Sequence, residues 1–137
     1  MLVRALYNEG SKLPTELLRS EYGLTASSDF ALTPGKLYAV QAITVFLGWI
    51  WYYVIDDDNA PFPIWKPAPL FEVVEGYVPA GWRFAHLSNP YTGAPYPILS
   101  FPEWTNDVFF YDRLVSREAS AVAAFTRHRL EAPTESP

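Results

Sequence analysis

Asp56, Asp57 and Asp58 stand in a row before Asn59, in a chain of 137 residues. Consecutive carboxylates can hold a hard cation or divide acid and base work between them. A calcium loop of the helix–loop–helix kind needs oxygen ligands at alternating positions and a central glycine. Here Ala60 and Pro61 follow the asparagine instead. The run reads as a solvated polar turn first and as a contact for a positively charged partner second. No metal ion, cofactor or catalytic role is assigned to it.

The other residues with chemical potential are sparse. His86 and His128 have no ligand spacing between them, and a metal site would need a third ligand from elsewhere. The absence of cysteine removes disulfides, thiolate metal sites and thiol nucleophiles. The glycines are scattered and form no phosphate-cradling loop, and Gly-x-Ser-x-Gly is missing. An enzyme would have to be assembled from Asp57, His86 and a nearby acid. That small hydrolase or ligand-binding enzyme is the catalytic alternative.

Charge and aromatic content point elsewhere. The formal net charge is −5, and between Leu37 and Trp82 five acids (Asp56, Asp57, Asp58, Glu72, Glu75) face one base, Lys66. A nucleic-acid partner would call for a basic patch, and none is seen. Tyr7, Trp49, Trp51, Trp65 and Trp82 are the residue types that dominate interface hot spots, although large aromatics more often pack a core. The expected binding surface therefore comprises Asp56, Asp57, Asp58 and Glu75, with Trp65, Trp49 and Trp51 beside them. Its partner is a basic protein.

Several elements must position these residues. Val3 to Asn8 alternates loosely, as a first strand would. Pro14 to Tyr22 reads as a short helix, with proline near its start and Gly23 after its end. Thr33-Pro34-Gly35-Lys36 is a turn. Leu37 to Val45 is a strand, Phe46-Leu47-Gly48 turns the chain, and Trp49 to Ile55 is the strongest strand. Its alternation puts Trp49, Trp51, Tyr53 and Ile55 on one face and Ile50, Tyr52 and Val54 on the other. Both faces are apolar, so each needs a cover or a ligand. Pro61 to Pro69 is a stiff loop or an edge. Leu70 to Glu75 returns to strand, Tyr77 to Leu87 adds a short piece, and Asn89 to Pro102 is irregular. Trp104, Val108, Tyr111, Val115, Ala119 and Val122 recur at helical spacing, which predicts one or two helices with Ser116 capping the second.

The uncharged run from Leu37 to Ile55 is long enough to cross a bilayer. Its β-branched and aromatic composition, with Gly48 inside it, favours two paired strands and no membrane span. The start of the chain shows no basic segment leading into an apolar one, so no signal peptide is expected. Cytoplasmic is the expected location.

The order of these pieces resembles the Src homology 3 domain, a small five-stranded barrel. Ala5-Leu6-Tyr7 matches that family's opening strand, and Phe30-Ala31-Leu32-Thr33-Pro34-Gly35-Lys36-Leu37-Tyr38-Ala39-Val40 matches its second. Trp49-Ile50-Trp51 matches the tryptophan strand, and Pro69-Leu70-Phe71-Glu72-Val73 the closing element. Phe71 stands where the family has a ligand-contacting tyrosine. The resemblance runs from Val3 to Glu75 and implies an SH3-like antiparallel barrel that binds protein. With C-terminal helices packed on it, the class is α+β. Residues 1–131 then form a single globular domain, with the barrel over about 3–87, helices over about 104–131 and a flexible tail over 132–137. The chain also looks like the small acidic bacterial proteins that serve as immunity partners of secreted toxins. The leading reading is a noncatalytic protein-binding domain, most concretely an inhibitor of a basic toxin. A homo-oligomeric assembly subunit is the third reading.

Overall fold

The computed structural model describes residues 1–133, so the tail expected over 132–137 lies mostly outside the described residues. The class is α+β: eight strands in two antiparallel sheets, followed by three short helices. The strands are β1 (Leu2–Ala5), β2 (Leu37–Ala39), β3 (Ala42–Phe46), β4 (Trp49–Val54), β5 (Ile64–Pro67), β6 (Phe71–Glu75), β7 (Arg83–Ser88) and β8 (Pro95–Ser100). The helices are α1 (Pro102–Thr105), α2 (Phe110–Val115) and α3 (Ala119–His128).

The smaller sheet has the order β2-β1-β6 and the larger β5-β4-β3-β8-β7. Neither closes on itself, where the resemblance led to the expectation of a closed small barrel. The chain changes sheets instead of continuing one ladder. Val40 and Gln41 alone separate β2 from β3, and a single 3-10 turn, Ala68–Leu70, separates β5 from β6. The expected strand Leu37 to Val45 is thus two strands belonging to different sheets.

β3 and β4 pair as a hairpin from Ala42↔Tyr53 to Phe46↔Trp49. The turn is Leu47-Gly48, both with positive φ, 49° and 85°. A two-residue turn with left-handed backbone at both positions matches the twist of the strands it joins. Gly48 adopts it without cost, whereas Leu47 carries a side chain into a conformation that disfavours one. Among the described residues no helix is long and apolar enough to cross a membrane.

β4 is covered on both faces. On one, Tyr53 meets Trp104 of α1 at 4.9 Å between ring centroids and Tyr111 of α2 at 5.2 Å. On the other, Tyr52 meets Phe71 of the smaller sheet at 5.9 Å. Phe101, Phe110 and Leu114 are fully buried where the helices meet the larger sheet. Gln41, buried at the switch between sheets, donates through Nε2 to the Leu130 carbonyl (2.8 Å) and accepts from the Leu130 amide (3.0 Å). It fastens the segment after α3 as a neighbouring strand would.

Three local expectations are corrected. The helix expected over Pro14 to Tyr22 is a chain of separate 3-10 turns, Gly10–Lys12, Thr15–Leu17 and Ser20–Tyr22. Arg19 is extended (φ −121°, ψ 150°) and interrupts any continuous helix. Buried Leu13 and Leu17 pin the segment to the core, and Gly23 ends it in the left-handed region as expected. Asn89 to Pro102 holds a full strand, β8, despite its prolines. Ser116 ends α2 and does not cap α3, because Arg117 takes a positive φ of 62° and breaks the chain there.

Replacing Leu47 with asparagine relieves the turn while keeping the hairpin, since asparagine tolerates left-handed backbone. Leu47→Asn is expected to stabilise the fold by about 0.5–1 kcal/mol in urea unfolding. A loss of stability would show that the exposed Leu47 side chain makes a contact worth more than the backbone strain.

Candidate functional site: an aromatic cleft beside β8

The larger sheet comes apart on one side, and the sequence says why. β3 and β8 pair only at Ile43↔Leu99 and Thr44↔Ile98. Continuing the ladder would bring Val45 and Phe46 against Pro97 and Tyr96. Pro95 and Pro97 have no N–H to donate, so the pairing stops. Thr44 takes the Pro97 carbonyl with its hydroxyl at 2.6 Å, and the strands part beyond it.

A cleft of about 430 Å³ opens there, within the range of small-ligand sites. Thr44, Phe46, Tyr53 and Trp65 of the sheet line its base. Trp104, Val108, Tyr111 and Asp112 form the helical wall, the β7–β8 connection supplies Asn89 and Tyr91, and β8 supplies Tyr96. The Tyr91 hydroxyl donates to Asp112 Oδ2 at 2.7 Å, tying that connection to α2. Tyr111 donates to the Pro63 carbonyl at 2.7 Å, which fixes α2 over the chain leading into β5.

Asp112 is the one charged residue of the lining. Its neighbour Arg113 is turned away, held by Asp107 (2.8 Å), Glu118 (2.6 Å) and the Ser120 hydroxyl (2.8 Å). Asp112 has no cationic partner among the described residues. The phenols feel both burial and this charge. Burial, then the Asp112 carboxylate, push Tyr111 up to about 12. Burial above all pushes Tyr53 up, with Tyr111, Tyr96 and Asp112 adding to it. The Tyr53 and Tyr96 hydroxyls make no hydrogen bond to the described residues.

The residues expected to form one binding surface are divided. Trp65 reaches the cleft and is 37% exposed. Trp51 lies buried behind it, stacked at 4.5 Å, and Trp49 is half-buried on the same face of β4. The aspartates are elsewhere. Asp56 is not on the surface at all: its side chain is 2% exposed and pairs with Lys66 Nζ at 2.8 Å. Lys66 follows Trp65 on β5, so alternation sends it to the opposite face of the sheet. Asp57 binds the Thr33 hydroxyl (2.6 Å), Lys36 Nζ (2.8 Å) and the Tyr38 hydroxyl (2.8 Å). Partial burial raises its carboxyl, but those three bonds outweigh it and hold Asp57 below the usual carboxylate range. Asp58 is exposed, and Glu75 ends β6 on the smaller sheet, opposite Leu2. The acidic run is therefore largely a structural turn.

Neither histidine faces the cleft. His86 is exposed opposite Pro97, on the other side of the sheet from Ala85 and Leu87. His128 stacks on Phe101 at 4.6 Å and bonds Glu103 at 2.8 Å. Among the described residues no three acids or histidines are grouped to hold a metal ion. Sequence reading missed Tyr91, Tyr96, Tyr111 and Asp112. A usable signal was present for Tyr91 and Tyr96, aromatics set among Pro90, Pro95 and Pro97, and none for Tyr111 and Asp112 on α2.

Two measurements follow. Lys66→Met leaves the Asp56 carboxylate buried without its partner and should destabilise the fold by about 3–5 kcal/mol, whereas Asp56→Leu with Lys66→Met should recover most of the loss. Denaturant unfolding of both variants decides it, and a mild single variant would mean that Asp56 reaches water. The second concerns alkali. Tyr38 is pushed up to about 12 by burial and then by Asp57, as Tyr111 is by burial and Asp112. Unfolded phenols ionise near pH ~10. Their contribution is fully present below that pH and is lost as pH rises toward 12. Stability should fall steadily above pH ~10, with the Tyr38 and Tyr111 ring signals in NMR showing phenolate only as the chain unfolds. Tyr38 or Tyr111 phenolate in the folded chain near pH ~10 would contradict their burial.

No protein-family model matches the chain, and neither does any curated protein or solved structure.

Proposed function

We propose that this chain is a noncatalytic protein-binding domain for a basic partner, and that the aromatic cleft receives it. The observation that carries this reading is the make-up of the cleft. It gathers tryptophan and tyrosine rings with one carboxylate, and its lining holds no histidine, lysine or arginine. Acyl or phosphoryl chemistry needs a nucleophile beside a base or a cationic clamp, whereas desolvated aromatic anchors at an opening are the usual energetic centre of an interface.

Strand order supports the SH3-like part of the reading. β6-β1-β2 and β3-β4-β5 are two three-strand groups joined through one extended stretch, residues 37–46, and through the 3-10 turn before β6. That is how a small barrel of five strands is divided when its second strand bends from one side to the other. β7, β8 and the helices are additions, and they build most of the cleft. In the resembled family the groove lies near the tryptophan strand. Here Trp65, stacked on Trp51 of that strand, is the element the two would share. An immunity-type inhibitor of a basic toxin is the most concrete form, favoured by the formal charge of −5.

Affinity capture from the native host, followed by binding kinetics, tests the proposal. Trp65→Ala should weaken the captured partner by at least ~2 kcal/mol, mainly through faster dissociation. Asp58→Asn, outside the cleft, should change little beyond association rate and salt dependence. A partner that binds Trp65→Ala as tightly as the parent would remove the cleft from the interface.

A further inference from the structure

We infer that the cleft is a receptor for an organic cation, a guanidinium or substituted ammonium group, held between aromatic rings and the Asp112 carboxylate. The inference rests on the cleft being the binding site and names the chemistry it selects.

Charge complementarity is the first argument. The lining carries one charged side chain, an acid, and no base. Arg113, the adjacent cation, is fully engaged with Asp107 and Glu118. The carboxylate is therefore available to a cation from outside, with Tyr91 as its one hydrogen-bond donor.

The second argument is the rings. Aromatic faces carry negative potential, and a desolvated cation over them is attracted more strongly than an exposed one. Trp65 and Tyr53 stand on the sheet, and Tyr111 and Trp104 on the helices facing it. A group entering the cleft thus meets rings from two layers. An anion would meet the same faces and the same carboxylate and be repelled by both. A neutral apolar group would gain burial but nothing from Asp112. The Tyr53 and Tyr96 hydroxyls, without protein partners among the described residues, add acceptor oxygens for N–H donors.

The cation could be a free small molecule or a side chain of the partner. Both present the same chemistry, and paired probes separate them. The full chain is titrated with choline against its neutral isostere 3,3-dimethylbutan-1-ol, and with the peptide Gly-Gly-Arg-Gly-Gly against its citrulline counterpart. Tryptophan fluorescence and upfield ring-current shifts of the probe protons are the readouts. At least one cation should bind about tenfold or more tighter than its neutral twin, and Asp112→Asn should remove most of that difference while leaving the neutral probe unchanged. Preference for choline marks a free ligand, and preference for the arginine peptide marks a partner's side chain; either supports the inference. Equal binding of cation and isostere, or no binding of any probe, overturns it. Capture of a partner sensitive to Trp65→Ala would still stand in that case, so the two failures are distinguishable. Circular dichroism of Asp112→Asn confirms that the variant is folded, and a second variant, Trp65→Leu, should shift the cation probes without depending on Asp112.

Discussion

β4 carries large side chains on both faces, and a strand of that kind cannot leave either face in water. Trp51, Tyr52 and Val54 are all buried, with Trp51 and Tyr53 on one side and Tyr52 and Val54 on the other. Burying one such side chain contributes roughly 1.5–3 kcal/mol, so two covering layers are worth the order they impose. The smaller sheet covers one face and the helices cover the other. The remaining connections serve these two covers: the chain begins in the smaller sheet, leaves the larger one once to complete it with β6, and returns to the larger sheet to place α1 to α3.

The crossing from β2 to β3 and the β4–β5 connection both bring polar groups into the interior, and each is answered locally. At the first crossing the Gln41 amide pairs with both backbone groups of Leu130, while its own carbonyl accepts the Ser100 hydroxyl at 2.7 Å. The connection from β4 to β5, within the larger sheet, runs through Asp56. Its carboxylate takes both Lys66 and the Asp58 amide, at 2.8 and 3.0 Å. The ion pair adds little net stability in itself, since desolvation offsets much of the attraction. It does make a wrong position for β5 costly, because Lys66 and Asp56 satisfy each other only when β5 lies in register beside β4.

Much of this was legible in the sequence. Alternation in Trp49 to Ile55 gave the two faces, Phe46-Leu47-Gly48 marked the hairpin although Phe46 is the last residue of β3, and the demand for a second cover gave helices on the sheet. Proline in Pro61 to Pro69 left that segment as loop or edge, and its middle forms the edge strand β5. The failures have physical causes. β8 was hidden because proline content argues against an inner strand, yet Pro95 and Pro97 lie on the part of β8 that β3 does not pair with, where no donor is required. The helix expected over Pro14 to Tyr22 is interrupted where Arg19 turns extended, which the helix-compatible spacing of Leu13 and Leu17 does not reveal. The acidic run misled most. Three adjacent aspartates look alike in sequence, but strand geometry sends one into the core, one into a hydrogen-bonded turn and one into solvent.

That division also explains why the candidate site lies away from the acids. Trp65, Tyr53 and Tyr111 gather where the larger sheet does not close. Prolines stop the β3–β8 ladder, the strands part, and the rings nearest the gap become its walls instead of core. The gap is held open from outside: Tyr111 is bonded to Pro63, and Tyr91 to Asp112, so α2 can neither settle into the cleft nor swing away while both bonds stand. Arg113, bonded to Asp107 and Glu118, points the one nearby guanidinium elsewhere. The same local geometry that ends a ladder therefore produces an aromatic cavity with a single unneutralised carboxylate at its wall.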